Sequence, residues 1–296
     1  MGSLSHHPSG SLADGDDPLH LTAERAGWIY AGLRVLKLEP GASRTIPTSA
    51  YEMVVLPLSG GGLSVECEGE LLSLQGRETV FSRVTDFAYA PIRSELRLAS
   101  GDGAEVALCM AKAEEKLAPA YGSADDVVVE TVGAGPATRQ LTKFLTPETW
   151  EQANKLICYE ELTPDGNWAS YPPYKHHAAG ENSGNNEQLS YFRIGEAGTT
   201  NYAGEGFGFH RAFDDDYDTT VSVRDGDVCV VPSGFHGPSV AAPGYSMYSL
   251  NVLAGPGSTR AATTLDHPDH QWVRTSWAEM PQDPRSPMTT STSLQV

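Results

Sequence analysis

The sequence predicts an all-β chain built as two β-barrels with few, short helices, and three observations carry that prediction. Strand-length apolar runs alternate with turn residues at a spacing of roughly eight to twelve positions. Helical periodicity is almost absent. One strand–turn rhythm occurs twice, over 54–91 and again over 189–232, as expected of a duplicated supersecondary unit.

Runs rich in Val, Leu, Ile, Tyr and Phe predict strands at 31–38, 51–58, 63–68, 87–91, 105–111, 188–194, 219–223 and 228–232. Gly60-Gly61-Gly62, Asp225-Gly226-Asp227 and Pro243-Gly244 separate them as turns. The first unit closes on Ala88-Tyr89-Ala90-Pro91 and the second on Cys229-Val230-Val231-Pro232. The best helix signal is 147–155, with Thr146 as N-cap and Trp150 and Ala153 on the helix. Residues 1–20 are polar and rich in Gly, Ser and His, and read as a disordered leader. The two barrels are then assigned to 21–135, ending in a Pro/Gly/Ala/Asp-rich connector from 119, and to 136–265. Residues 266–296 form an extension in which Trp272 and Trp277 are expected to anchor the chain and the part from Pro287 to be loose.

The 296 residues are 40% hydrophobic and 20% charged, the balance of a globular protein. No apolar run reaches the roughly 18 residues of a membrane span, and the start lacks the apolar core of a secretory signal. The expected location is the cytoplasm. A formal charge of −18 with only 20 Lys and Arg argues against nucleic acid, because phosphate binding needs clustered cations. Cys67, Cys109, Cys158 and Cys229 are far apart with no CxxC and read as buried reduced thiols. A homo-oligomer is expected, since exposed sheet edges call for cover.

The histidines are unevenly placed. Of nine, none lies between 21 and 175, while His176, His177, His210, His236, His267 and His270 crowd the second half. If the halves are duplicated barrels, only the second can host an imidazole site. His176 follows the extended Tyr171-Pro172-Pro173-Tyr174-Lys175, His236 leaves a strand through Pro232-Ser233-Gly234-Phe235, and His210 precedes Arg211. Imidazoles converging at a barrel mouth suit a divalent metal; the alternative is a polar pocket lining. His177 is a weaker candidate, and His267 and His270 read as surface residues.

On these residues the chain resembles the 5-deoxy-glucuronate isomerase family of inositol catabolism, a family related to the hexosulose-uronate ketol-isomerases of pectin breakdown. Gly166-Asn167-Trp168-Ala169-Ser170-Tyr171-Pro172-Pro173 carries the likeness most clearly, with further matches over 21–36, 207–211, 223–232, 234–238, 248–255 and 272–284. The resemblance covers nearly the whole chain. It implies a bicupin fold, a metal (zinc or manganese) in the C-terminal cupin, no nucleotide cofactor, and aldose–ketose isomerisation of a small anionic, carbonyl-bearing sugar acid.

The ligand positions depart from the family pattern. Where the family has His-Lys-His this chain has Tyr174-Lys175-His176; the family's glutamate falls on Gln188, with Glu187 beside it; the last histidine is kept as His236. His210 stands where the family has glutamine. The metal candidates are therefore His176, His236, Gln188 and His210. The candidate acid–base residues are His210, Tyr174 and Glu187, with histidine best matched to neutral pH. Arg211, then Arg139 or Lys175, are candidates for the substrate carboxylate, and Tyr191 and Tyr248 for the pocket wall. Three readings stay open: a rearranged three-histidine metal site, metal-free acid–base chemistry, and ligand binding without catalysis. Alongside sugar-acid isomerisation stand a recruited isomerase, epimerase or cyclase of specialised metabolism and a non-catalytic small-molecule-binding bicupin.

Overall fold

A computed structural model describes residues 4–176, 186–231, 233–258 and 260–292. The first half contains β1 (Ser5–His7), β2 (Leu19–Leu21), α1 (Ala23–Ala26), β3 (Ala31–Leu38), β4 (Ser43–Pro47), β5 (Tyr51–Cys67), β6 (Glu70–Arg77), β7 (Phe87–Ala90), β8 (Glu95–Ser100), β9 (Ala104–Lys112) and β10 (Ala120–Gly122). The second contains β11 (Val128–Val132), β12 (Arg139–Leu145), β13 (Ile157–Thr163), β14 (Trp168–Ala169), β15 (Tyr174–Lys175), β16 (Glu187–Glu196), β17 (Gly208–Phe213), β18 (Asp218–Val223), β19 (Val228–Val231), β20 (Phe235–Ala241), β21 (Tyr245–Ala254), β22 (Leu265–Asp266) and α2 (Val273–Ser276).

The two halves repeat one strand order. The first sheet runs β10-β7-β5-β9-β3-β2 and the second β1-β19-β16-β21-β13-β12-β11. Thus β5, β9 and β3 correspond to β16, β21 and β13. Each sheet faces a second wall that completes its barrel. In the N-terminal half that wall is the far end of β5 with β6, β8 and β4; in the C-terminal half it is β18-β17-β20-β15-β22. β5 serves both walls because its register shifts between Pro57 and Ser59, a bulge that bends the strand.

The near-continuous apolar runs of β5 and β9 follow from this layout, because each strand is buried on both faces. One face fills its own barrel and the other packs against the opposite barrel. Leu33, Val35, Val54, Leu56, Cys109, Cys158, Leu189, Val252 and Ala254 form the shared layer between barrels. Leu36, Val55, Leu63, Val65, Leu98, Val106 and Leu108 fill the N-terminal barrel. The four cysteines are buried and unpaired with one another.

A reciprocal clasp ties the halves together. Glu52, at the head of β5, accepts from the amides of Asn154, Lys155 and Leu156 at 2.8, 2.5 and 2.6 Å, just before β13. Glu187, at the head of β16, accepts from the amides of Ile29, Tyr30 and Ala31 at 2.7, 2.7 and 2.9 Å, entering β3. Each carboxylate satisfies backbone donors that enter a buried strand of the other half.

Four expectations are corrected. From residue 4 the leader is packed on the sheets: β1 pairs with β19, β2 pairs with β3, and His6 Nε2 meets Asp227 Oδ2 at 2.8 Å. β1 covers the edge of β19 as β10 covers that of β7, which blunts both sheet edges. The predicted helix over 147–155 is a turn, with the amides of Thr149 and Trp150 bonding back to the Thr146 carbonyl. The stretch after Pro287 is packed at its start: Met288 and Thr289 are buried, Thr289 N–H donates to Gln140 Oε1 at 2.9 Å, and the Thr290 carbonyl accepts from Val84 N–H. Trp272 is 65% exposed and anchors nothing. Among the described residues no helix is long and apolar enough to cross a membrane.

Candidate functional site

The paired registers allow the two barrels to be compared position by position. Met53 opposes Met110 and Val55 opposes Leu108 in the N-terminal sheet; Gln188 opposes Leu253 and Ser190 opposes Asn251 in the C-terminal one. Leu36 opposes Val106, and Glu161 opposes Ser249. The inward apolar residues Leu36, Met53, Val55, Val106 and Leu108 are therefore matched by Glu161, Gln188, Ser190, Ser249 and Asn251. All five of these polar residues are buried. Burying such groups costs free energy that apolar packing avoids, so this polar row makes the C-terminal barrel interior the candidate site.

His176, Gln188 and His236, together with Asn186, Val231, Ser233 and Gly234, line a small, partly open cavity at the end of this row. β15 lies against β20 with Tyr174 opposite His236. The Tyr174 ring packs 4.4 Å from that of His236 and 5.4 Å from that of His176; the two imidazoles stack at 5.4 Å. Glycine makes this approach possible: Gly237 has φ of 92°, and a Cβ there would run into the Ser170 carbonyl.

Hydrogen bonds run from the cavity along the row. His176 Nε2 lies 2.6 Å from Gln188 Oε1, and Gln188 Nε2 donates to Asn251 Oδ1 at 3.3 Å. Asn251 Oδ1 also accepts from Ser190 Oγ at 2.7 Å, and Asn251 Nδ2 donates to Ser249 Oγ at 3.2 Å. On the neighbouring strand, the Tyr159 and Tyr174 hydroxyls meet at 3.3 Å, and Arg139 Nε donates to Glu161 Oε2 at 3.4 Å. Burial raises the pKa of Tyr174, reinforced by the charge of Glu161. Tyr159 is held well above the ordinary phenol value, first by burial and then by Tyr174 and Glu161. Burial also raises Glu161, against the opposing pull of Arg139. Both phenols are thus kept as O–H groups at neutral pH.

The structure brings together Tyr174, His176, Gln188 and His236, and sets Arg139 inside the same barrel. The other candidates are elsewhere. Glu187 faces away from the cavity and its oxygens are taken by the 29–31 amides, so the proton-carrier role expected of it is replaced by the clasp. Arg211 lies on the barrel exterior, bonded to both Asp218 oxygens at 2.8 and 2.7 Å and set over the Phe213 ring. Tyr191 lies in the shared layer under Arg193, and Tyr248 in the same layer donates to Glu160 Oε1 at 2.8 Å. Lys175 sits with its ammonium 4.7 Å from the Phe235 ring centroid and makes no ion pair among the described residues. His177 lies outside the described residues.

His210 is buried beside Phe192 and takes Ser239 Oγ at 2.7 Å on Nδ1, while its Nε2 has no hydrogen-bond partner among the described residues. Burial, with a contribution from His6, pushes it down to about 4. It does not line the His176–His236 cavity.

Tyr159, Glu161, Ser190 and Asn251 were missed by sequence reading. Their signal was alternation: Tyr159 and Glu161 are two apart on a buried strand, and so are Ser190 and Gln188. It became legible only once one face of each strand was known to point inward.

The donor set does not fit a divalent metal. Tyr174 is a protonated phenol, Gln188 is an uncharged amide, and His176 Nε2 is engaged with that amide. Among the described residues no group of three His, Cys, Asp or Glu side chains is placed to hold a metal ion. The rearranged site of His176, His210 and His236 is therefore not formed. Zinc and manganese favour several convergent, deprotonated donors.

The chain matches the model of the KduI/IolB family over residues 6–273. It is 34% identical over 275 residues to the 5-deoxy-glucuronate isomerase of Geobacillus kaustophilus, covering 91% of this chain and 95% of that protein. Among solved structures it is similar to an IolB-like protein from Salmonella typhimurium, with a TM-score of 0.81 and 26% identity over 93% of this chain and all of that one. Bacillus subtilis oxalate decarboxylase, a protein with Mn(II) centres, shares the fold at a TM-score of 0.57 and 12% identity, over 83% of this chain and 74% of that one.

Proposed function

The chain belongs to the KduI/IolB family, and from that membership we propose that it is an isomerase, an intramolecular oxidoreductase that interconverts the aldose and ketose forms of 5-deoxy-glucuronate or a close sugar-acid analogue. The observation that carries this reading is the identity with a 5-deoxy-glucuronate isomerase along nearly the whole chain. The polar row of the C-terminal barrel, apolar at the matching positions Leu36, Met53, Val55, Val106 and Leu108 of the N-terminal one, agrees with it.

The reaction moves hydrogen from C2 of the open-chain aldehyde to C1. A base takes the C2 proton, the electron pair forms the enediolate, and the charge collects on O1. Reprotonation at C1, with loss of the O2 proton, gives the ketone. In this reading the His236 imidazole carries the proton between the two carbons, being the residue type best matched to neutral pH. Tyr174 donates its O–H to the oxygen that gains charge, in a site where burial strengthens that bond. Arg139, inside the same barrel beside Glu161, holds the substrate carboxylate in place of Arg211, since Lys175 packs over Phe235 on the face of β15 opposite Tyr174.

Incubation of the protein with 5-deoxy-glucuronate, followed by NMR, tests the reading. Growth of ketose resonances is expected; no turnover with or without added Mn²⁺ would remove it. A second reading is favoured by Tyr174 and Gln188 specifically: a metal-independent isomerase, epimerase or cyclase step on another carbonyl substrate.

A further inference from the structure

We propose that this barrel has replaced a metal site by a hydrogen-bonded ladder, in which Gln188 fixes the tautomer of His176 instead of sharing a cation with it. This goes beyond the isomerase reading and does not rest on it.

The bonds of the ladder form one consistent chain of donors and acceptors. Asn251 Oδ1 receives Ser190 Oγ at 2.7 Å and Gln188 Nε2 at 3.3 Å, while Asn251 Nδ2 gives its hydrogen to Ser249 Oγ at 3.2 Å. With its amide nitrogen turned to Asn251, Gln188 presents Oε1 to His176 at 2.6 Å. A carbonyl oxygen only accepts; His176 Nε2 meets Gln188 Oε1 at 2.6 Å whereas Nδ1 is 3.4 Å from the Thr263 carbonyl, so the shorter bond holds the proton of the neutral ring on Nε2. A protonated ring nitrogen has no lone pair to give a cation. The ring nitrogen nearest the amide is thereby withdrawn from metal chemistry by a bond inside the protein.

The same ladder explains why glutamine stands at 188. A carboxylate there has no N–H₂ to give Asn251, so Asn251 Oδ1 would face a second acceptor. It would also bring a buried negative charge into a row whose one carboxylate, Glu161, already faces Arg139. Tyr174 completes the change, since a phenol hydroxyl turned to the Tyr159 hydroxyl at 3.3 Å is a poorer metal donor than an imidazole. The N-terminal barrel has Met53 and Leu108 at the ladder positions, so its backbone is held without such a network. The ladder belongs to the site and is not a requirement of the fold.

Two substrate-free measurements on the full chain test this. In the first, the protein is loaded with Mn²⁺ or Zn²⁺, dialysed, and the retained metal counted, with His236→Ala as the control that subtracts metal held elsewhere. The expected site-specific occupancy is below about a tenth of an equivalent in the unaltered protein, rising at least about tenfold in the Tyr174→His/Gln188→Glu double variant. Near-stoichiometric metal in the unaltered protein, lost in His236→Ala, would overturn the proposal. So would a folded double variant that binds no more than its parent.

The second measurement is histidine ¹⁵N NMR, which reads the tautomer directly and needs no variant that alters charge. His176 is expected as the Nε2–H form, with that preference lost in Gln188→Ala; an Nδ1–H form in the unaltered protein sinks the idea even if the double variant does not fold. Failure of the isomerase assay leaves both readouts untouched. An isomerase that turns over only with site-bound metal overturns the ladder alone.

Discussion

At the scale of single residues, His210 shows how burial becomes a pH response. Its imidazole is pushed from an ordinary 6.5 down to about 4, so between those values the unfolded chain binds a proton that the folded one refuses. Stability from this residue is present above pH 6.5 and is lost as pH falls toward 4. The shift corresponds to about 3 kcal/mol. Urea unfolding at a series of pH values is expected to show that loss, and His210→Gln to flatten it; an unchanged slope in the variant would assign the acid response elsewhere. Tyr174 makes a different prediction, because its hydroxyl acts on charge that develops during reaction. Tyr174→Phe is expected to lower kcat by about 10²-fold with little change in KM. A rise in KM alone would make it a binding residue.

At the scale of elements, the Glu52 and Glu187 clasps set the relation of β5 to β13 and of β16 to β3. Glu187→Gln removes the charge that draws in the 29–31 amides, and is expected to cost about 2–3 kcal/mol of stability, the range of hydrogen bonds to a charged group. Turnover per folded molecule should stay near that of the parent. Denaturant unfolding beside active-site titration separates the two effects, and a loss of kcat without a loss of stability would return Glu187 to the chemistry. The strands themselves were largely legible in the sequence, since β3 falls on the predicted 31–38 and β19 on all but the last position of 228–232. The turn at 147–155 was not, because its apolar residues are recruited by the other half: Trp150 packs on Phe87 at 4.9 Å, a contact without local sequence signal.

At the scale of the whole molecule, two barrels of like strand order differ in their interiors. The apolar N-terminal barrel shows what this architecture needs for folding, and the polar row of the C-terminal barrel shows what was added. The Glu161–Arg139 pair is then a stability liability kept for the site. Glu161→Leu alone leaves a buried guanidinium and should destabilise by about 3–5 kcal/mol, whereas Glu161→Leu with Arg139→Met should be neutral or stabilising by about 1–4 kcal/mol while activity is lost. Unfolding curves for both variants decide it; a double variant as unstable as the single one would show that the pair is structural.

The sequence by itself determined the class of fold, because strand periodicity and turn chemistry are local properties of the chain, and it pointed to Tyr174, His176, Gln188 and His236, which the structure places side by side. It also identified the two replaced ligand positions. Only the tertiary structure decided which face of each strand looks inward. That decision turned Glu187 from proton carrier to clasp, moved Arg211 outside, isolated His210, and brought Tyr159, Glu161, Ser190 and Asn251 into the site. The physical reason lies in the two-sided burial of the strands. With a barrel on one face and a partner barrel on the other, solvent exposure no longer distinguishes the faces, and the direction of a side chain follows from pairing with residues distant in the chain.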